Sequence, residues 1–222
     1  DDTTARNAAS ILARWDIAVP ESVRDVLSNG SSVFRPDSAE LQRTENRIIA
    51  APSQSLEAAA NVAKNHGCDV RILGDRIEGE AHELAKVHAR LALKIQREQS
   101  IGDRPVLLLS GGELTVTRRG NGIGGPNAEY ALALARELNG AGGIHAIACD
   151  TDGVDGAAEV AGAIIGPQTL HKAGSINLDP QIFLANNDSH TFFELLGDQV
   201  VTGPTLTNVN DFRAILITGQ VL

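Results

Sequence analysis

The sequence has no methionine and only a few cysteines and aromatic residues. Of its 222 residues, two are cysteines and 3% are phenylalanine, tryptophan or tyrosine. Cys68 and Cys149 lie far apart, each beside an apolar segment, so we expect two reduced thiols in a cytoplasmic compartment rather than a disulfide or a zinc site. Because even position 1 is not methionine, we expect a fragment of a longer protein.

Long apolar runs and an excess of basic charge are also lacking. No stretch reaches the roughly 18 consecutive apolar residues of a membrane-spanning helix, and Asp1–Trp15 has neither the basic start nor the apolar centre of a signal peptide. There are 19 Lys and Arg against 28 Asp and Glu, a formal net charge of -9, whereas nucleic-acid binding depends on clustered basic side chains. We therefore expect neither a membrane nor a nucleic-acid partner.

The order of apolar and polar segments predicts an α/β fold. Residues 1–46 have the pattern of a short helical segment followed by a loop. From residue 47 to residue 222, short apolar runs alternate with helical periods, beginning with an expected strand at Arg47–Ala51. This alternation predicts a three-layer α/β/α sandwich around a mixed, mostly parallel sheet.

The first candidate site follows the apolar run Val106–Leu109 and consists of Ser110, Gly111, Gly112 and Glu113. In open α/β sheets, ligands bind beyond the carboxyl ends of such buried strands. Adjacent glycines let backbone N–H groups approach an anion, and Glu113 is placed to act as an acid, a base or a metal ligand. A hairpin turn between two strands is the alternative.

The second candidate is a glycine-rich loop that leads into a helix at Pro126 and Asn127. A phosphate fits the N-terminus of such a helix. The loop also has the glycine spacing of a dinucleotide site, but the preceding run alternates in polarity instead of being wholly apolar, and Asp150 lies thirty residues beyond Gly120. A surface loop is a further alternative. The glycines concerned are Gly120, Gly122, Gly124 and Gly125.

The third candidate is the acidic turn after the apolar run Ile144–Cys149, with Asp150, Asp152 and Asp155 close together. Three carboxylates within six residues repel one another. Mg²⁺ held by one or two of them and by phosphate oxygens relieves that repulsion. Asx turns at the end of a strand are the alternative.

The fourth candidate is a polar segment before the last strand. Its short hydrogen-bonding side chains suit recognition of a hydroxy acid or a phosphate, and they equally suit a long capped loop. The candidate ligands are Thr207, Asn208, Asn210, Asp211 and Arg213.

Four motifs occur in a fixed order: SGGELTVT at 110–117, GNGIGGPNAE at 120–129, CDTDGVDG at 149–156 and VTGPTLTNVNDFRAIL at 201–216. Together they closely resemble the glycerate 2-kinase family, some of whose members bear the name hydroxypyruvate reductase. The C-terminal part of that family is called the MOFRL domain. The resemblance covers nearly the whole chain and is strongest over residues 44–218.

This resemblance implies ATP- and Mg²⁺-dependent phosphorylation of D-glycerate at its 2-hydroxyl, giving 2-phosphoglycerate. It places the reaction in a cleft between an N-terminal Rossmann-like domain and the MOFRL domain. Residues 1–46 then become the tail of an N-terminal domain that is mostly absent, and residues 47–222 become the MOFRL-like domain. Relatives commonly carry arginine where this chain has Ile123 and Pro126, and we hypothesise that Arg118 or Arg119 replaces that charge.

The resemblance also implies a role for each motif. Asp150 and Asp152 would hold Mg²⁺, and Glu113 would act as an acid–base group or lie in the metal shell. Ser110–Gly112 and the loop Gly120–Gly125, with Asn127, would contact phosphates. D-glycerate would be oriented by Thr207, Asn208, Asn210, Asp211 and Arg213, with Arg213 as the partner of its carboxylate.

Two other functions remain open at this point. The glycine spacing and the older family name favour an NAD(P)H-dependent hydroxypyruvate reductase. Loss of the N-terminal domain favours a catalytically inactive binding or assembly module. In that case an apolar face left without its partner would appear as a homodimer or as aggregation.

Overall fold

The computed structural model describes residues 4–29, 34 and 38–219. It divides the chain into two compact units, Asp1–Ile49 and Ala50–Leu222. The first unit contains the helices α1 (Ala5–Arg14) and α2 (Glu21–Ser28) and a 3-10 turn at Ala39–Leu41. The side chain of Thr4 caps α1 by accepting the backbone N–H of Asn7.

The strand expected at Arg47–Ala51 is absent from the described chain, and that prediction is wrong. Ile48 and Ile49 are 82% and 90% exposed. An isolated apolar pair forms a strand only where a neighbouring strand and a packed face cover it. Here the chain instead enters α3, whose first residue is Pro52.

The second unit, over its described residues 50–219, is a six-stranded sheet flanked by helices. Its elements in chain order are α3 (Pro52–Asn65), β1 (Asp69–Glu80), α4 (Ala81–Glu98), β2 (Val106–Thr115), α5 (Pro126–Leu138), β3 (Ile144–Asp150), β4 (Gly162–Ile165), α6 (Thr169–Ser175), α7 (Pro180–Ala185), α8 (Ser189–Leu196), β5 (Gln199–Val200) and β6 (Asp211–Ile217).

The sheet has the strand order β1-β2-β6-β3-β4-β5, which confirms a mixed sheet in an α/β fold. Over the described residues the sheet is not mostly parallel, because the β1–β2 pair is parallel and the other four pairs are antiparallel. The helices α4 and α5 act as crossovers, so β1, β2 and β3 point the same way. The last strand, β6, then inserts between β2 and β3 in the opposite direction.

Apolar side chains of the central strands divide between the two faces of the sheet. Leu108 faces α4 and α5 and belongs to the main core, whereas Leu109 faces α3 and packs with Leu56 and Ala60. This follows from the alternation of side chains along a strand. The uninterrupted apolar run of β2 is therefore buried on both faces, as the sequence predicted.

Among the described residues, the structure contains no helix that is both long enough and apolar enough to cross a membrane.

Candidate functional site

Three of the four predicted motifs meet at one edge of the sheet. Asp211, the first residue of β6, pairs with Gly112 of β2 on one side and with Asp150 of β3 on the other. Because β6 is antiparallel to both neighbours, it starts where they end. This edge therefore gathers the first motif, the acidic turn and the end of the polar segment.

The first motif belongs to a strand, so the alternative of a hairpin turn is wrong. Ser110–Gly112 lie inside β2 and are buried. Gly112 has a φ of +118°, and a Cβ at this position would overlap the backbone of Ile77 in β1. Glycine is therefore required for β1 and β2 to lie this close together. Glu113 follows Gly112 and is exposed at the sheet edge.

A buried ion pair lies beneath this edge. Arg213 is 1% exposed, and its Nη1 lies 2.7 Å from Oδ2 of Asp211. The guanidinium also donates to Oγ of Ser110 at 3.3 Å and to the carbonyl oxygen of Gly111 at 2.8 Å. Its Cζ lies 5.8 Å from the centroid of the Tyr130 ring. Protein groups thus occupy the guanidinium that the sequence assigned to a substrate carboxylate, and that assignment stays a prediction.

Asn127 connects this ion pair to the acidic turn. Its Nδ2 donates to Oδ1 of Asp211 at 2.7 Å and to Oδ1 of Asp155 at 3.3 Å. The Asp155 carboxylate accepts the backbone N–H groups of Asn127 and Ala128 at 3.0 and 2.8 Å. Asp155 therefore caps α5, and the protein itself supplies the negative charge that this helix end favours.

Asp155 is fixed from its other side by His190. Nε2 of His190 lies 3.0 Å from Oδ2 of Asp155, and the two side chains are 2% and 1% exposed. A Cβ at Gly125 would overlap the Asp155 carboxyl. The last glycine of the loop is therefore explained by the close approach of this carboxylate.

The glycine-rich loop lies against the connection between α7 and α8. A Cβ at Gly120 or at Gly122 would overlap the backbone of Asn186–Asp188. Side chains of this connection also accept the N–H groups of three loop residues and of Arg119, which precedes the loop. The contacts are Asn186 Oδ1 with Asn121 at 3.2 Å, Asn187 Oδ1 with Arg119 at 2.6 Å and with Gly120 at 2.9 Å, and Asp188 Oδ1 with Ile123 at 2.9 Å. Close packing thus accounts for these glycines, and their contact with phosphates stays a prediction.

Asp150 and Asp152 lie half-buried in the acidic turn. The N–H of Asp152 donates to Oδ1 of Asp150 at 3.1 Å, and the N–H of Val154 donates to Oδ1 of Asp152 at 2.8 Å. Both contacts have the residue spacing of an Asx turn. Burial raises the pKa of Asp150 to about 6, and the nearby charges of Asp152 and Asp211 act in the same direction.

The polar segment before β6 packs onto this turn. Nδ2 of Asn208 donates to Oδ2 of Asp152 at 3.0 Å. Oγ1 of Thr151 donates to the carbonyl oxygen of Asn210 at 2.8 Å and accepts the N–H of Val209 at 2.8 Å. These contacts fix the turn in place. Within the described residues, no group of three or more His, Cys, Asp or Glu side chains is arranged to hold a metal ion.

The predicted site residues thus fall into three groups. Those that are exposed or half-buried at the sheet edge are Glu113, Asp150, Asp152, Thr207, Asn208 and Asn210. Those that form a buried frame behind it are Ser110, Gly111, Gly112, Gly125, Asn127, Asp211 and Arg213. The half-buried loop glycines are Gly120, Gly122 and Gly124.

Sequence reasoning missed one carboxyl, that of Glu129 in the first turn of α5. It is 5% exposed and lines a cavity of about 230 Å³ with His82, Lys86 and Arg119. Burial raises its pKa. The sequence feature that could have revealed this site is an acidic residue among the apolar side chains of a helix that directly follows a glycine loop. A buried carboxyl in a cavity is a candidate for binding or proton transfer.

Comparison with known proteins matches residues 106–211 to the MOFRL family. Over 98% of the chain it is 48% identical to a protein of Agrobacterium vitis named "Putative hydroxypyruvate reductase", covering 49% of that protein. It is 31% identical to a D-glycerate 2-kinase of Thermotoga maritima, over 98% of this chain and 51% of the relative. It is 34% identical to a glycerate 2-kinase of Pyrococcus horikoshii, over 99% of this chain and 51% of the relative.

A solved structure agrees with these relatives. The crystal structure of glycerate kinase from Thermotoga maritima superposes with a TM-score of 0.83 at 31% identity, over 98% of this chain and 51% of that one. The chain spans about half the length of the curated relatives it matches. The resemblance predicted from the four motifs is therefore confirmed: the chain is a homologue of proteins named glycerate 2-kinase and hydroxypyruvate reductase, and its residues 106–211 match the MOFRL family.

Proposed function

We propose that this chain forms part of a kinase that transfers the terminal phosphoryl group of ATP to the 2-hydroxyl of D-glycerate. Relatives named glycerate 2-kinase support the reaction class. Because the chain spans about half of those relatives, we expect the rest of the site to come from an N-terminal domain outside this sequence. The proposal depends on one observation, the paired and partly accessible carboxylates of Asp150 and Asp152 at the sheet edge.

The acidic turn suits an Mg²⁺ ion that arrives with a nucleotide. Burial and neighbouring charges raise the pKa of Asp150 to about 6, so its carboxylate is destabilised unless a cation lies nearby. Mg²⁺ is typically held by one or two carboxylates together with phosphate oxygens, so two carboxylates are a sufficient donor set. When bound here, the ion would neutralise negative charge on the transferring phosphoryl group.

The protein's contribution is then to hold these carboxylates still. Phosphoryl transfer depends on positioning and charge stabilisation more than on covalent catalysis. Nδ2 of Asn208 donates a hydrogen bond to Oδ2 of Asp152 and so fixes that carboxylate. The backbone of Asp150 is fixed by its pairing with Asp211 in the sheet. Arg213 neutralises Asp211 from within the core, which leaves the two outer carboxylates as the accessible negative charges of this cluster.

Glu113 lies at the same edge, one residue beyond the Gly112–Asp211 pair. It is exposed, so it has access to solvent and to a bound substrate. We assign it to the acid–base group or to the outer shell of the metal. Thr207 and Asn208 are exposed beside the acidic turn, where we place contacts to the substrate's hydroxyl groups.

Binding of Mg·ATP to the 222-residue chain tests this assignment by isothermal titration calorimetry. Replacing Asp152 by Asn removes the charge and keeps a side-chain oxygen for the N–H of Val154. We expect nucleotide affinity in the presence of Mg²⁺ to fall by about tenfold or more. The matched control is Asp25→Asn, at an exposed aspartate of α2. Equal affinities of both variants would remove the basis for the acidic turn as the metal site.

A reductase is the second candidate, because the Agrobacterium vitis relatives carry that name. A dinucleotide fingerprint joins a buried parallel strand directly to a helix. Here residues 116–119 separate β2 from the glycine loop, and Gly120 and Gly122 pack against Asn186 and Asp188. These features favour the kinase, and oxidation of NADH by hydroxypyruvate is the control reaction that distinguishes the two.

A further inference from the structure

A second cavity lies beside α4 and α5, away from the acidic turn. Its volume is about 230 Å³, and its lining residues come from α4, α5, α7, the α7–α8 connection and the segment before the glycine loop. The acidic turn, in contrast, follows β3. Pockets for drug-sized ligands span about 300–1,000 Å³. This cavity is smaller, so it suits a ligand of a few carbon atoms, at a site separate from the one proposed for phosphoryl transfer.

The negative charge of this cavity comes from the buried carboxyl of Glu129. Its Oε2 accepts a hydrogen bond from Nδ2 of Asn187 at 3.1 Å, whereas its Oε1 lies 3.6 Å from Nδ1 of His82, beyond hydrogen-bond distance. His82 also lies 3.1 Å from Oε1 of Glu83, so its ring is shared between carboxyl groups. Burial raises the pKa of Glu129, while the Asn187 contact acts in the opposite direction. An ammonium group that donates to Oε1 would stabilise the carboxylate.

The positive charge comes from side chains at the rim of the cavity. Nζ of Lys86 lies 2.6 Å from Oε1 of Glu83, and Nη2 of Arg136 lies 3.1 Å from Oε1 of Glu137. Over the part of the chain that the structure describes, no hydrogen bond or ion pair engages the guanidinium of Arg119. Arg119 is therefore the rim cation with the greatest freedom to receive a carboxylate.

Part of the remaining wall is apolar. Ala133 of α5 and Leu184 and Ala185 of α7 line the cavity. Ala133 is buried and Leu184 is half-buried. Two of these three side chains end at Cβ, which leaves room beside them for a short aliphatic group that would be removed from water.

We propose that this cavity binds a small aliphatic α-amino acid, with its ammonium group against Glu129, its carboxylate against Arg119 and its side chain against the apolar wall. A carboxyl and a guanidinium that line one small cavity match the two opposite charges of such a zwitterion. A simple anion would leave Glu129 without a cationic partner, and a simple cation would leave Arg119 without an anionic one. The site is independent of the proposed function, since no step of phosphoryl transfer is assigned to it.

Asn187 connects this cavity to the glycine loop. Its Oδ1 accepts the N–H groups of Arg119 and Gly120, and its Nδ2 donates to Glu129. One side chain thus holds both proposed contact residues, so Asn187 is a positioning residue here. Arg118, whose Nε donates to the carbonyl oxygen of Gly120 at 3.2 Å, remains the arginine available to the loop itself.

The test is isothermal titration calorimetry of the 222-residue chain with L-valine and with L-alanine, in the absence of ATP and Mg²⁺. Isovalerate is L-valine without its ammonium group, and isobutylamine is L-valine without its carboxylate. Because each lacks one of the two charges, each should bind about tenfold more weakly than L-valine or worse. Backbone amide NMR with L-valine should show shift changes at Arg119, Gly120 and Glu129.

Two variants assign the two charged contacts. Glu129→Gln keeps the size of the side chain and an oxygen for Asn187, and it should bind L-valine about tenfold more weakly and isovalerate no more weakly than the unaltered chain. Arg119→Ala keeps the backbone N–H that Asn187 holds, and it should weaken L-valine to a similar extent and leave isobutylamine unaffected. Arg90→Ala, at an exposed arginine of α4, is the matched control and should bind every ligand as the unaltered chain does. Melting curves show whether each variant is folded.

Four results would overturn the proposal. The first is no measurable binding of either L-valine or L-alanine. The second is equal affinity of the chain for L-valine and isovalerate, and the third is equal affinity of Arg119→Ala and Arg90→Ala for L-valine. The fourth is displacement of L-valine by an equal concentration of D-glycerate, which has a hydroxyl in place of the ammonium group. The kinase assignment can fail without changing any of these outcomes, because none of them depends on ATP or Mg²⁺.

Discussion

Nδ2 of Asn127 lies 2.7 Å from Oδ1 of Asp211, and this contact joins the first turn of α5 to the first residue of β6. The two residues are 0% and 5% exposed. Through this amide, the cap of α5 at Asp155 is connected to the ion pair with Arg213. The sheet edge that presents the acidic turn is therefore supported by one continuous buried network.

Removing Arg213 should severely destabilise the fold. In Arg213→Met the Asp211 carboxylate stays buried without its cation, and breaking one side of such a pair costs about 3–5 kcal/mol. Urea unfolding followed by circular dichroism measures this loss. The exposed Arg90→Met is the control and should stay within about 0.5 kcal/mol of the unaltered chain. A similarly small effect at Arg213 would show that the ion pair contributes little.

Adding a methyl group at Gly125 should also destabilise the fold. In Gly125→Ala the new Cβ overlaps the Asp155 carboxyl, which must move away from the helix end that it caps. Overpacking of this kind costs about 1–3 kcal/mol. Gly174→Ala in α6 is the opposite case, because no neighbouring atom lies within 4 Å of the Cβ that alanine would add. We expect it to be neutral or stabilising by up to about 1 kcal/mol, and thermal melts of both variants compare the two.

Burial makes His88 a source of pH-dependent stability. Its Nδ1 lies 2.7 Å from the Tyr130 hydroxyl, and burial lowers its pKa from 6.5 to about 4. The unfolded chain therefore takes up the proton first. The stability contributed by neutral His88 is complete above the unfolded pKa of 6.5 and is lost as the pH falls towards about 4.

The variant His88→Asn removes this proton uptake. Between about pH 7.5 and about pH 4.5 its unfolding free energy should fall by roughly 2–3 kcal/mol less than that of the unaltered chain. The control is His66→Asn at an exposed histidine, which should follow the unaltered chain. If His88→Asn instead shows the same fall, the acid sensitivity of the fold lies in other groups.

Loss of the Asn187 side chain should loosen the glycine loop locally. In Asn187→Ala the N–H groups of Arg119 and Gly120 lose their acceptor, so their hydrogen exchange should accelerate by about tenfold or more. Asn139→Ala is the matched control, since Asn139 has a similar φ of 48° against 51° at Asn187 but is exposed at the end of α5. Equal exchange rates at Arg119 and Gly120 in both variants would contradict the role of Asn187 as the acceptor of these two N–H groups.

The sequence predicted the α/β class and the acidic turn because both depend on local patterns. The apolar run before Ser110 indicates a strand buried on both faces, and Asp150 directly follows a second apolar run. Because two glycines follow Ser110, the sequence predicted a site beyond the end of this strand, whereas β2 continues to Thr115. A glycine inside a strand marks close approach of another backbone, and the backbone of Ile77 in β1 is not adjacent in sequence.

The burial of Arg213 and the cavity at Glu129 could not be predicted from local sequence patterns. The face of a strand residue depends on which strands flank it, and β6 enters between β2 and β3 only in the folded chain. The cavity combines α4, α5 and the segment before the glycine loop, with Lys86 and Arg136 contributed by two different helices. Nothing in the spacing of these residues along the chain reveals that they meet.

The most direct test of the kinase assignment is release of ADP from Mg·ATP in a chimeric enzyme. In it, this chain replaces the matching half of the Thermotoga maritima D-glycerate 2-kinase, of which this chain covers 51%. We predict D-glycerate-dependent release of ADP that is lost in Asp152→Asn and retained in Asp25→Asn. A folded chimera that oxidises NADH with hydroxypyruvate and releases no ADP would contradict the account.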